Sequence, residues 1–319
     1  MHDYTVYGGW LRSGIPIPEL RPRSVTAGAV DEGSAEWDFQ VVAGSAPELP
    51  NSLRAARDEL HPGVFAELIR GPNVARLTFD DTGVFDVSDA GHRVVWYPRE
   101  GSVPDVARAD LVGRVLPLTL HDKGLTSLHG SAVVLDGRAV AFVAPKNHGK
   151  STLAMALVER HGGRLLSDDT LIVAPDSGIA RAGVLSVRLW EHTAQRFGGL
   201  GGGRVVLSEK HVFEQLPLEW LAEDASPLAA IYALAPARAD STDPVRRHPL
   251  DGPEATIALI QYQKLGALLA GQDAVRVFEL VATLAARVPV FRLEVVRDIE
   301  QLPAVTAAVV AWHAEQSNT

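Results

Sequence analysis

The chain has 319 residues, 46% of them apolar, and carries a formal charge of −9 at neutral pH. The absence of cysteine excludes disulfides, zinc–thiolate sites and thiol catalysis, and the eleven histidines show no His-x-x-x-His or His-Glu-x-x-His spacing for a dedicated transition-metal site. Basic residues do not cluster beyond Arg246-Arg247, which argues against a nucleic-acid surface; no apolar run approaches the ~20 residues of a membrane span, and Met1-His2-Asp3-Tyr4 starts no signal peptide. A soluble cytoplasmic protein, with neither nucleic acid nor membrane as partner, is expected.

The length predicts one large or two modest domains. Residues 1–100 hold short apolar runs, among them Val41-Val42, Val74 to Phe79, Val84-Phe85 and Val94-Val95-Trp96-Tyr97, separated by Asp81-Thr82-Gly83 and Asp89-Ala90-Gly91. This spacing predicts a β-rich N-terminal domain of short antiparallel strands. Val106, Leu111, Val115 and Leu116 fall at helical spacing and predict a connecting helix over 105–120. A second domain is expected over 101–319.

Leu128-His129-Gly130-Ser131-Ala132-Val133-Val134-Leu135 reads as a strand, and Asp136-Gly137 as a tight turn into a second strand, Arg138 to Val143. His129 starts this hairpin. Val143-Ala144-Pro145-Lys146-Asn147-His148-Gly149-Lys150-Ser151-Thr152 follows at once, and Leu153, Ala154, Ala156, Leu157 and Val158 then give a helical face. Strand, loop and helix in this order present backbone N–H groups and a positive helix N-terminus to an anion. The Gly149-Lys150-Ser151-Thr152 core is that of a phosphate loop, with Ala144 where the opening glycine is usual. Lys150 is expected on the terminal phosphates of a nucleoside triphosphate and the Ser151 hydroxyl on Mg²⁺. Lys146 and His148 either add positive charge beside the phosphates or point to solvent.

After a Gly162-Gly163 break, Leu165-Leu166 and Leu171-Ile172-Val173 predict a strand with Asp168 and Asp169 inside it. Adjacent strand residues point to opposite faces, so one carboxylate faces the metal and phosphates while its neighbour faces elsewhere or meets the acceptor. Charge between apolar runs is costly unless it is paired or binds metal. The Gly198–Gly203 run is followed by no lysine-bearing helix and is expected to be a mobile loop, with a lid or acceptor flap as the alternative. Helices are predicted over 254–269, 273–287 and 299–314, with a strand over 289–293 between the last two.

Taken together, the His129-Gly130 strand, the hairpin, the phosphate loop with its helix, and Gly162-Gly163-Arg164-Leu165-Leu166-Ser167-Asp168-Asp169 resemble the HPr kinase/phosphorylase family. The likeness is greatest to its lasso-peptide (precursor peptide) kinase type. The match is most specific over 128–175. Looser likenesses lie at Tyr7-Gly8, Ile15 to Leu20, Val187-Arg188-Leu189-Trp190, Glu209-Lys210-His211 and Val288 to Leu293. The resemblance implies an α/β fold: a P-loop kinase core of the HPr kinase/PEP carboxykinase-like type, an N-terminal β-rich domain and a mostly helical C-terminal part. It implies ATP and Mg²⁺ as cofactors. Lys150 and Ser151 match the phosphate and metal residues. Asp168 matches the general base toward an acceptor hydroxyl, Asp169 its neighbour near the metal, and His129 a histidine set against that base. Ala144, Lys146, Asn147, His148, Gly149 and Thr152 complete the nucleotide loop; Arg188 and Lys210 match later active-site segments.

The expected activity is transfer of the γ-phosphoryl group of ATP to a hydroxyl, a Ser or Thr of a peptide or protein. Phosphate positioning, charge neutralisation and a proton acceptor each have a candidate residue. A small-molecule hydroxyl kinase and a non-catalytic nucleotide-binding regulator are the alternatives, and GTP or pyrophosphate as donor and a homo-oligomeric assembly stay open.

Overall fold

A computed structural model describes residues 1–23, 35–49, 53–184, 186–205, 210–214, 216–237, 241 and 243–317. The fold is mixed α/β and divides into two units. One comprises Met1–Lys123 with Leu265–Arg276, the other Gly124–Lys264 with Val277–Thr319.

In the first unit nine strands form one sheet among the described residues. Its second half is the expected antiparallel meander, from Leu53–His61 through Val64–Arg70, Val74–Phe79 and Gly83–Ser88 to Arg93–Pro98. Trp37–Val41 departs from that expectation, pairing in parallel with both Gly9–Ser13 and Arg93–Pro98. Alternation along these strands buries Trp37, Phe39, Phe79, Phe85 and Trp96 on one face. Phe85 stacks on Trp96 and meets Phe79 edge-on, with ring centroids 5.9 and 5.7 Å apart.

The sequence placed the domain boundary near 100, whereas the helical stretch after it belongs to this first unit. Trp37 Nε1 donates to Thr119 Oγ1 over 2.8 Å, and the Tyr7 hydroxyl to the Val112 carbonyl over 2.9 Å. The stretch runs as Pro104–Asp110 and Leu116–Asp122 with a π turn, Leu111–Val115, between them. Pro117 lacks the N–H that would bond to Gly113, so the ladder changes register before it. Arg70 pairs with Asp122 at 3.0 Å and Asp273 at 3.2 Å, tying residues 265–276 into the same unit.

The second unit is built on the hairpin Gly130–Leu135/Arg138–Val143. Its turn residues Asp136 and Gly137 have φ of 47° and 81°, the left-handed pair that suits a two-residue hairpin. Arg138–Val143 pairs in parallel with Ser226–Pro236, which pairs in parallel with Val290–Val295. The C-terminal ends of these three strands therefore share one sheet edge, where open α/β sheets bind ligands. The helix Lys150–His161 packs back on the sheet through Leu153, Ala154, Leu157 and Val158, all buried with Phe142, Tyr232 and Val309. Gly162, left-handed, ends it. A Cβ on Gly163 would lie 2.6 Å from Val133, so both glycines of the break have a steric reason.

Two local expectations are corrected. Asp168 and Asp169 lie in a turn between two strands, Arg164–Ser167 and Leu171–Ala174, because Asp169 takes a left-handed φ of 67° that no strand accommodates. The helix expected over 254–269 starts on a capping box at Asp251 and Glu254 but ends at Gln261. Beyond it the chain lies along Thr126–Leu128: Lys264 N donates to Ser127 O, and His129 N to Tyr262 O. In the glycine-rich run, read from sequence as a loop, Gly199 and Gly203 lie against aromatic rings while Gly201 and Gly202 are exposed with nothing beside them. A Cβ on Gly199 would lie 2.2 Å from the Trp220 ring and one on Gly203 2.7 Å from Phe213.

Candidate active site

The loop 144–149, read from sequence as a phosphate loop, joins the strand Arg138–Val143 to the helix Lys150–His161. Ala144 is fully buried and is not among the positive-φ residues, so its methyl group is compatible with the opening turn. The left-handed positions of the loop are Asn147 (φ 65°) and Gly149 (φ 84°), a residue type tolerant of that region and one free in it. Lys146 is exposed, and its carbonyl is 2.8 Å from His148 Nδ1. Thr152, beside Ser151 in the first helical turn, is half-buried.

Lys150 folds back over the loop. Its buried ammonium donates to Ala144 O at 2.9 Å, Pro145 O at 3.0 Å and His129 Nε2 at 3.1 Å. Burial pushes its pKa down to about 8, with Lys210 and Lys264 adding to the effect and Asp168 and Asp169 opposing it.

Asp168 is buried at 2% exposure and is held from three sides. Ser151 Oγ donates to its Oδ1 over 2.8 Å, Ser131 Oγ to the same oxygen over 2.5 Å, and Arg188 N to Oδ2 over 3.3 Å. Ser151 thus meets Asp168, where the expectation paired it with Asp169. Ser131 was not singled out from sequence. The signal for it was a small hydroxyl residue inside an otherwise apolar buried strand.

Asp169 faces elsewhere. Lys264 Nζ donates to its Oδ2 at 2.6 Å, and His129 Nδ1 lies 3.1 Å from its carbonyl and 3.3 Å from Oδ1. Burial alone would raise this carboxyl, but Lys264, His129 and Arg188 hold it well below the ordinary carboxylate range. The histidine expected against Asp168 therefore sits against Asp169 and Lys150. With Nε2 accepting from Lys150 and Nδ1 donating to Asp169, it is neutral, and burial lowers its pKa. Lys264 is the second residue missed from sequence, because an uninterrupted helix over 254–269 would have carried it away from the aspartates.

Arg188 and Lys210 come together on the small sheet formed by Val187–Trp190, Lys210–Phe213 and Arg204–Val205, with Trp190 opposite Lys210. Both line a cavity of about 350 Å³ whose wall includes Asn147, His148, Gly149, Lys150, Ser151 and Thr152. Burial lowers the pKa of Lys210, against the pull of Asp168 and Asp169. Glu209, adjacent in the motif, lies outside the described residues.

No family model and no curated protein matches the chain. Among solved structures, the Hpr(Ser) kinase/phosphatase from Coxiella burnetii is similar at a TM-score of 0.33 and 13% identity, over 60% of this chain and 93% of that one. A likeness that slight assigns neither family nor activity. Among the described residues no helix is long and apolar enough to cross a membrane.

Proposed function

We propose that this protein is an ATP-dependent phosphotransferase that moves the γ-phosphoryl group to a hydroxyl, with Ser or Thr of a peptide or protein as the acceptor. One observation carries the reading. Ser151, in the first turn of the loop helix, donates to buried Asp168, so phosphate loop and carboxylate meet at one point. The hydroxyl and carboxylate oxygens of this pair suit Mg²⁺, a hard cation. The residues to hold it are Ser151 and Asp168, since Asp169 is engaged by Lys264 and His129. When bound, that ion neutralises charge on the β- and γ-phosphates.

The chain's own groups supply the rest. Lys150 and the N–H groups at 149–152 hold the phosphates, and Arg188 and Lys210 add positive charge from the facing sheet. Asp168 Oδ1 faces Ser151, while Oδ2 receives a longer bond from the Arg188 amide and takes the acceptor proton. As that proton leaves, the acceptor oxygen forms a bond to the γ-phosphorus and the bond to the β-phosphate oxygen breaks, releasing ADP.

Calorimetric titration with Mg·ATP, paired with γ-labelled transfer to water and to serine peptides, tests this reading. Asp168→Asn keeps an oxygen toward Ser151 and the metal but loses the proton acceptor, so it is expected to slow transfer by about 10²–10⁴-fold, with a smaller loss of Mg·ATP affinity. Absence of Mg·ATP binding by the wild-type chain would sink the proposal.

A further inference from the structure

The sheet of the second unit carries a second hollow at the same edge as the loop 144–149, on its other face. Along Ser226–Pro236 the side chains alternate. Leu234 packs with Leu293 and Val309, while Ala233 and Ala235 point the other way, Ala233 beside Arg292 on the neighbouring strand. On the Leu234 side lie the helix Lys150–His161 and the cavity beside Lys150, which also takes in Leu153, Ile299 and Leu302. On the Ala233 side a groove of about 260 Å³ runs between the strand ends and the helix Gly252–Gln261. Leu250, Ile257 and Ala258 make its apolar wall with the two alanines, and Glu254, Gln261, Tyr262 and Arg292 give it polar groups. Leu234 and Ala235 line both hollows.

Tyr262 ties the groove to the candidate active site. Its carbonyl accepts from His129 N over 2.7 Å, His129 meets the Lys150 ammonium, and Lys264, two residues on, holds Asp169. The two hollows therefore flank the Lys150 end of the sheet from opposite faces, which suits an in-line transfer between donor and acceptor. At about 260 Å³ the groove is below the usual range of whole small-ligand sites, about 300–1,000 Å³, so it suits side chains of a longer ligand. Its two charges are not equivalent. The Glu254 carboxylate accepts from Asp251 N in the capping box, whereas the exposed guanidinium of Arg292 pairs with no carboxylate among the described residues. Burial raises the pKa of Tyr262 and Arg292 opposes the shift, which sets the guanidinium near the phenol. We infer that the groove holds the flank of an acceptor peptide, with an aliphatic side chain against Ile257 and Ala258 and an Asp or Glu side chain at Arg292. This rests on the phosphotransferase reading proposed above and adds which peptides are chosen.

A library of C-terminally amidated peptides with one central serine and randomised flanks, phosphorylated with Mg·ATP and sequenced, provides the test. The wild-type chain is expected to enrich Asp and Glu about two- to fivefold at one flanking position, the range of an exposed ion pair, and aliphatic residues at another. Arg292→Glu, a change at an exposed position, is expected to turn the charge preference toward Lys and Arg. Ala258→Trp, which fills the groove, is expected to slow peptide transfer about tenfold or more, the worth of burying one aliphatic side chain. Thermal melting and calorimetry with Mg·ATP verify that both variants keep the fold and the donor site. A charge preference unaltered by Arg292→Glu, or peptide transfer at the wild-type rate in Ala258→Trp, overturns the groove while sparing the phosphotransferase reading. Transfer from ATP to water with no peptide phosphorylated overturns it as well. Failure of the wild-type chain to bind Mg·ATP overturns the phosphotransferase reading and this inference with it.

Discussion

The ammonium of Lys264 donates to Asp169 Oδ2 over 2.6 Å, joining two residues 95 positions apart in the chain. Lys264 is nearly buried and Asp169 one-third exposed, so removing the lysine strands a partly desolvated negative charge. Lys264→Ala is expected to cost about 1–3 kcal/mol in urea unfolding at neutral pH, less than a fully buried pair because of solvent screening. Asp169 lies well below its ordinary 3.8 in the folded state, so the pair stabilises the fold above that value. Its contribution fades as the pH falls below about 4 in wild type. A variant equal in stability to wild type at pH 7 would show the pair to be neutral.

Lys150 is also shifted downward, but there the disfavoured form is the charged one. Its folded pKa is about 8 against an ordinary 10.5, so between these values the unfolded chain holds the extra proton and folding gains stability with rising pH. The cation needed for phosphate is lost over the same window. Nucleotide affinity is therefore expected to fall above pH 8 while the fold does not weaken on this account. Lys150→Ala should bind Mg·ATP poorly at every pH. An affinity independent of pH from 7 to 10 would separate Lys150 from the phosphates.

Ser131 donates to a carboxylate that is itself buried. Ser131→Ala is expected to destabilise the protein by about 1.5–3 kcal/mol, the range for a hydrogen bond to a charged group. Ser151→Ala should do the same and, in addition, weaken Mg²⁺-dependent nucleotide binding. Chemical denaturation and titration of the two variants side by side distinguish the fold-supporting hydroxyl from the ligand-facing one.

Ala144→Gly tests the loop's departure from its usual opening glycine. Because Ala144 does not take a positive φ, glycine restores no needed freedom. The expected effect is a loss of about 0.5–1 kcal/mol in stability with nucleotide affinity unchanged. A marked tightening of ATP binding would mean that the alanine methyl group obstructs the phosphates.

The hairpin and the strand–loop–helix unit after it were legible because each is encoded locally: Asp136-Gly137 in the turn, Gly149 before the helix, Gly162 after it. The connecting helix was legible from Val106, Leu111, Val115 and Leu116, yet its membership of the N-terminal unit rests on Trp37 and Tyr7, whose partners lie 82 and 105 residues away. The aspartate pair was found but set in a strand, since a left-handed φ at a non-glycine residue has weak sequence signature. Lys264 was hidden for a related reason. Ala-rich helical periodicity continues past Gln261, and the pairing of Gln263 with the Leu128 edge that ends the helix is long-range. The cavity wall at Ile299 and Leu302 follows from the chain returning to the sheet edge, which no local pattern announces.

The three protons of the Lys150 ammonium already have acceptors in Ala144, Pro145 and His129. On the proposed reading, an arriving triphosphate would trade places with these internal partners rather than meet a bare charge. Its heat of binding would be the difference between two sets of hydrogen bonds, one of which returns two backbone carbonyls and an imidazole to other donors. The far nitrogen of that imidazole lies against Asp169, so the exchange would reach the partner of the second aspartate.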